Sequence, residues 1–219
     1  MELDVSEALR YLGAGNEPPE TLRRDMEAAA RQLTQTLQPR FVYRVFSLNH
    51  ETDGIRLREA DLLLTGGMAR TVLAQCDQAV LLACTLGAEF DSLLRREQAR
   101  DMAKAAMLNA CGSAWVESGC DSAEREIAAR FPENFLTDRF SPGYGDLPLS
   151  LQREVCAALD TQRRLGLHVS ERFLLTPVKS VTAVIGLADR PQMARIRGCG
   201  FCALRETCLL RKGGKTCGN

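Results

Sequence analysis

Arg139-Phe140-Ser141-Pro142-Gly143-Tyr144-Gly145-Asp146-Leu147-Pro148 reads as a loop, because two prolines and two glycines fall within ten residues. Pro142-Gly143 sets a tight turn, and a glycine there permits close approach of a ligand to the backbone. Upstream of the loop, apolar spacing predicts helices over about Glu89 to Gln98 and Asp101 to Arg130, the second closed by Pro132. Before them Ala79 to Cys84 is a short apolar run, read as a buried strand. Downstream, a helix is expected around Leu151 to Thr161, then strands over Phe173 to Leu175 and Ser180 to Leu187.

The N-terminal third adds further elements. Val5, Ala8, Leu9 and Leu12 keep helical spacing up to the Gly13–Gly15 stop. Pro18-Pro19 opens a second helix running to about Leu37, with Leu22, Met26, Ala29, Leu33 and Leu37 on one face. Val42 to Phe46 and the stretch near Ile55 and Leu57 read as strands about a Thr52-Asp53-Gly54 turn. Gly66-Gly67 precedes a short helix, Met68 to Gln75. The elements predict an α+β fold, an antiparallel β-sheet flanked by helices. Residues 1–197 are expected to form one domain and 198–219 a cysteine-rich tail.

Composition excludes several classes. The 219 residues are 45% hydrophobic and 26% charged, ordinary for a globular protein. Lys+Arg and Asp+Glu are 28 each, so no excess positive charge points to nucleic acid. No apolar run approaches the ~18 residues of a membrane span. MELDVSEALRYLG has no basic start and no apolar core of a secretory signal. The expectation is a cytoplasmic protein with neither nucleic-acid nor membrane partners.

In the loop, Arg139 presents a planar fork suited to a carboxylate. Tyr144 brings an aromatic face and a hydroxyl. Arginine, tight turn and tyrosine would suit a small zwitterion with a carboxylate and an aromatic ring, although an ordinary surface loop carries such residues too. The segment resembles the Arg-x-x-Pro-Gly-Tyr signature of the activation domain of cobalamin-dependent methionine synthase. Arg139, Pro142, Gly143 and Tyr144 match it position for position, and Ser141 stands where that family often has Ala. The resemblance implies that the loop binds S-adenosylmethionine: Arg139 at the methionyl carboxylate, Ser141 and Gly143 through backbone, Tyr144 alongside. The chain departs next, with Gly145-Asp146-Leu147-Pro148 in place of Pro-Ala-Cys-Pro, which puts the far rim of the pocket in question.

Pro177-Val178-Lys179-Ser180-Val181-Thr182-Ala183 resembles the family's Pro-x-x-Ser-Val-Ser-Gly stretch and follows in the same order. The family's tyrosine after it has no counterpart in Leu187-Ala188-Asp189-Arg190-Pro191. Glu117 shares a helical face with Ala106, Ala110, Ser113 and Ala114, and Cys120 and Asp121 continue it. The resemblance makes Glu117 the partner of the ligand's ammonium group; a solvated helix-face carboxylate is the plain alternative.

Nine cysteines divide into two sets. Cys76, Cys84, Cys111, Cys120 and Cys156 stand singly in apolar or helical stretches, where a free thiol packs as a small hydrophobe. Cys199, Cys202, Cys208 and Cys217 form C-x2-C-x5-C-x8-C, a candidate set for a [4Fe–4S] cluster or zinc. His50 and His168 are isolated and read as structural.

Together these readings imply reductive reactivation of a cobalamin-dependent methionine synthase. S-adenosylmethionine would be the methyl donor, and the cobalamin would be carried by the synthase core subunit as partner, because the chain has no Asp-x-His-x-x-Gly cobalt-ligand sequence. No side chain need act as acid or base, so no catalytic residue is assigned. An electron donor is a further expected partner. The alternative is a non-catalytic, metal-stapled adaptor of a corrinoid or methyltransferase complex. A Rossmann methyltransferase ranks low for want of a G-x-G-x-x-G loop.

Overall fold

The computed structural model describes residues 1–15 and 17–192. Cys199, Cys202, Cys208 and Cys217, and the expected boundary at 197–198, lie outside the described residues. α1 spans Val5–Leu12: the Asp4 carboxylate accepts from the Ser6 and Glu7 amides at 2.8 and 3.2 Å, and Gly13, at φ 81°, closes the helix in the left-handed region. α2 spans Glu20–Thr36 and buries Met26, Ala29, Ala30 and Leu33.

There follow β1 (Arg40–His50), β2 (Gly54–Leu57), β3 (Leu62–Thr65), α3 (Gly67–Val72), β4 (Cys76–Thr85), α4 (Ala88–Gln98) and α5 (Met102–Arg130). β5 (Phe135–Leu136) precedes the 139–148 loop. After it come α6 (Gln152–Leu159), α7 (Thr161–Leu165), β6 (His168–Val169), β7 (Leu175–Thr176) and β8 (Ser180–Ala188). Six strands form one antiparallel sheet in the order β3-β2-β1-β4-β8-β5, and β6 pairs with β7 apart from it. The fold is the expected α+β class, with helices flanking the sheet.

The chain divides into two compact units, neither a single stretch of sequence. The first holds Met1–Tyr43, Leu82–Ile127 and Leu159–Val181. Its core is built on α5, where Trp115 is 1% exposed and donates from Nε1 to the Leu37 carbonyl at 2.8 Å. Truncating a buried aromatic of this kind costs about 3–5 kcal/mol. Gly112 leaves room for the Phe90 ring, and Gly119 for Pro39 and the Cys84 thiol. The second unit holds Arg44–Leu81, Ala128–Ala158 and the described residues from Thr182 to Gln192, and buries Phe46, Ile55, Leu57, Leu64, Leu73 and Leu81.

Several expectations shift. β1 is longer than Val42 to Phe46, and β3, β5 and β6 were not expected at all. The helix expected over Leu151 to Thr161 breaks at Asp160, whose φ of 52° ends α6 before α7 begins. Of the strand expected over Phe173 to Leu175 only Leu175 is in a strand, β7, which runs on to Thr176. Phe173 has φ 60° and sits in the turn between β6 and β7, where its amide donates to Ser170 O at 3.0 Å. Cys76, Cys84, Cys111, Cys120 and Cys156 are all buried, as expected of small hydrophobes. Burial pushes the thiols of Cys76 and Cys111 up to about 11, with Asp77 and Asp189 adding to the effect at Cys76. His50, exposed at the end of β1, has its Nε2 3.0 Å from the Cys76 carbonyl oxygen.

Candidate functional site

The 139–148 loop lies wholly within the second unit and is fastened at both ends. At its start Phe140 forms a two-way antiparallel bridge with Val184 of β8: the Phe140 amide donates to Val184 O at 3.0 Å, and the Val184 amide to Phe140 O at 2.7 Å. Phe140 is only 2% exposed, so the bridge is also an apolar plug. Three residues earlier, Thr137 exchanges bonds with Gly186, its amide donating to Gly186 O and its hydroxyl accepting from the Gly186 amide.

Within the loop, the Tyr144 amide donates to Ser141 O at 3.0 Å, the Leu147 amide to Tyr144 O at 3.1 Å, and the Gly143 amide to Leu147 O at 2.9 Å. Two stacked turns result. They need φ 89° at Gly143 and φ 58° at Gly145, conformations that glycine adopts at little cost. Pro142 and Leu147 are buried beneath, while Gly143, Tyr144 and Gly145 are exposed, Tyr144 by 40%. Arg139 and Ser141 are half-buried.

The far end is fastened by Asp146, whose carboxylate accepts from the Gly67 amide at 2.5 Å and the Met68 amide at 3.0 Å, at the start of α3. These bonds, from Met68 and then from Gly67, hold the Asp146 carboxyl below the usual carboxylate range. This is where the chain departs from the family signature. Asp146 is an anchor that sequence reading missed, since its partners lie 78 and 79 positions away.

In the first unit, the second motif forms the lead into β8. Thr85, 0% exposed at the end of β4, lies 2.7 Å from Ser180 Oγ and accepts from the Gly87 amide at 3.0 Å. Ser180 Oγ donates to Pro177 O at 2.7 Å. One direction satisfies every group: Gly87 N–H to Thr85, Thr85 O–H to Ser180, Ser180 O–H to Pro177. The Val178 amide donates to both Asp91 carboxylate oxygens, at 3.3 and 3.2 Å, and Lys179 Nζ donates to Ser113 Oγ at 2.8 Å. Glu117 is half-buried on α5, one turn beyond Ser113, and its charge raises the pKa of Tyr11 on α1, although burial of the phenol is the larger cause. The structure thus groups Arg139, Ser141, Gly143 and Tyr144 in one loop of the second unit, and places Glu117 in the first.

The fold resembles that of the MetH reactivation domain. A crystal structure of that domain bound to AdoHcy superposes with a TM-score of 0.70 at 17% identity, over 97% of this chain and 82% of that one. No protein-family profile matches the chain. No curated protein matches it either. Among the described residues no group of three or more His, Cys, Asp or Glu is placed to hold a metal ion. No helix among them is long and apolar enough to cross a membrane.

Proposed function

We propose that the protein binds S-adenosylmethionine at the 139–148 loop and presents its methyl group to the cobalamin of a separate methionine synthase core subunit, reactivating that enzyme. The observation that carries the reading is the coincidence of motif and fold. Arg139, Pro142, Gly143 and Tyr144 match the signature of the activation domain, and the chain around them resembles the MetH reactivation domain, whose crystal structure holds AdoHcy. AdoHcy is what S-adenosylmethionine becomes when its sulfonium methyl leaves.

The loop is suited to this task. The Arg139 guanidinium pairs with the methionyl carboxylate, the Ser141–Gly143 backbone lets the ligand come close, and the Tyr144 ring lies against it. Glu117 carries the opposite charge, fitting the ligand's ammonium group. Cobalamin on the partner would supply the methyl acceptor, at the Co(I) level once an external donor had returned the electron lost to Co(II). The sulfonium held by the loop would give up its methyl with the C–S electron pair left on sulfur, which would draw the unfavourable reduction forward. The protein's share is to hold the donor in one orientation rather than to move protons.

The tail cysteines complete the proposal. Cys199, Cys202, Cys208 and Cys217 would ligate one metal centre, a [4Fe–4S] cluster ahead of zinc, because reactivation needs an electron and zinc carries none. Arg205 and Arg211 in the same tail offset thiolate charge.

The test mixes the anaerobically purified full chain with a cobalamin-dependent synthase that lacks an activation domain, in its Co(II) form, with reductant and S-adenosylmethionine. The expected result is conversion of the Co(II) spectrum to that of methylated cobalamin, lost with Arg139→Ala and reduced with Glu117→Gln. No spectral change with an authentic partner would favour the adaptor reading. Metal and sulfide analysis of the same preparation reads the tail: iron with sulfide is expected, and one equivalent of zinc would remove the electron-transfer role.

A further inference from the structure

The loop that carries Arg139 and Tyr144 meets α3 in an unusual way. Gly66, just before α3, the first two α3 residues, Gly67 and Met68, and two consecutive loop residues are shaped to each other. Gly66, at φ 102°, has no side chain where Asp146 lies: a Cβ there would stand 2.8 Å from Oδ1, 2.9 Å from Cγ and 2.9 Å from the main-chain oxygen of Asp146. At Gly67 a Cβ would be 3.3 Å from the other carboxylate oxygen. From the opposite side, Gly145 leaves room for the Met68 thioether. Both carboxylate oxygens are used, each by one α3 amide. A carboxylate on two backbone N–H groups at a helix start is a charge-assisted pair of bonds, stronger than neutral ones.

Asp146 is exposed, so burial does not explain its position. Its bonds reach across 78 and 79 positions of chain, which local turn preference does not require. What they do is fix the residue two places after Tyr144, just as the Phe140–Val184 bridge fixes the residue one place after Arg139. Between the two fastenings only five residues remain, Ser141 to Gly145, and their turns are set by Gly143 and Gly145.

We infer that Asp146 and the Gly66-Gly67-Met68 start of α3 form a clasp that pre-sets the 139–148 loop, making Asp146 a positioning residue for the ligand carried by Arg139 and Tyr144. The inference rests on the proposed S-adenosylmethionine site for its purpose, but the clasp itself is made entirely of the chain's own atoms. A loop already held in its binding shape loses less freedom when the ligand arrives. Removing the clasp therefore weakens binding without removing any group that touches the ligand.

The experiment uses the full chain without ligand and follows backbone hydrogen exchange of peptides covering 66–72 and 139–148, then titrates S-adenosylmethionine. In Asp146→Ala both peptides should exchange at least tenfold faster while peptides from α5 are unchanged, and the Kd should rise about tenfold. Asp146→Asn keeps one acceptor oxygen and should recover part of both effects. Gly66→Ala, which attacks the clasp from the α3 side, should reproduce them. Unchanged exchange of 139–148 in Asp146→Ala and Gly66→Ala would overturn the clasp. Faster exchange with wild-type affinity would overturn its positioning role. A wild-type chain that binds no S-adenosylmethionine strikes the functional reading alone, and the exchange comparison still decides whether the clasp exists.

Discussion

The 139–148 loop and the 177–180 lead into β8 both carry motif residues, and both are tied down by an aspartate reaching across the chain. They differ in what they leave for a ligand. In the lead into β8 a bond falls on every residue from Pro177 to Ser180. Pro177 O takes the Ser180 hydroxyl, the Val178 amide is on Asp91, Lys179 O accepts from the Leu86 amide at 2.9 Å, and the Lys179 ammonium is on Ser113. In the 139–148 loop the long-range fastenings sit near the ends, at Phe140 and Asp146, while the Gly143, Tyr144 and Leu147 amides close local turns between them and Gly143, Tyr144 and Gly145 are exposed. The 177–180 bonds tie successive residues to the body of the first unit, whereas the 139–148 loop is tied by long-range bonds only near its ends, the arrangement on which the proposed ligand site rests.

The sharpest way to break this comparison on the scaffold side is Thr85→Val. It keeps the shape of a fully buried side chain but cuts the hydroxyl chain from Gly87 to Pro177, leaving the Gly87 amide without its acceptor. The cost should be about 1–3 kcal/mol in urea unfolding, the range for a buried donor left unsatisfied. A Thr85→Val protein as stable as wild type would mean that the chain of hydroxyls contributes nothing net.

Lys179 gives a smaller, pH-dependent effect. Burial holds its ammonium below the usual lysine value, and the charge of Asp91 offsets part of this. The unfolded chain therefore binds more protons than the folded one between the lowered pKa and the ordinary value of about 10.4. In that window stability should rise with pH as the folded lysine gives up its proton first. Lys179→Met should flatten the rise, seen as the difference in urea midpoint between the two proteins from pH 7 to pH 10. A difference that stays constant with pH would contradict the assignment.

The long elements were legible and stand close to their expected bounds: α4 and α5 from apolar spacing, β4 as an apolar run that is buried on both faces, and β8 as a strand-like stretch of the same kind. β5 and β6, two residues each, cannot show a period. β3, Leu62–Thr65, is an apolar run too short to separate from its surroundings. Phe173 took a left-handed turn position that its residue type disfavours, so it was read as strand. Arg139, Ser141, Gly143 and Tyr144 were legible because they are contiguous. Asp146 was readable only as a departure from the family pattern, since its role comes from amides in α3. Glu117 was legible as a carboxylate on a small-residue face, and α5 does place it one turn from Ser113.

The central claim is that the loop binds S-adenosylmethionine through Arg139, and calorimetric titration of the full chain tests it most directly. Wild type and Lys179→Met should bind alike, while Arg139→Ala should bind more weakly by roughly 1.5–3 kcal/mol, the scale of a lost hydrogen bond to a charged group. Wild-type binding no tighter than that of Arg139→Ala would contradict the account.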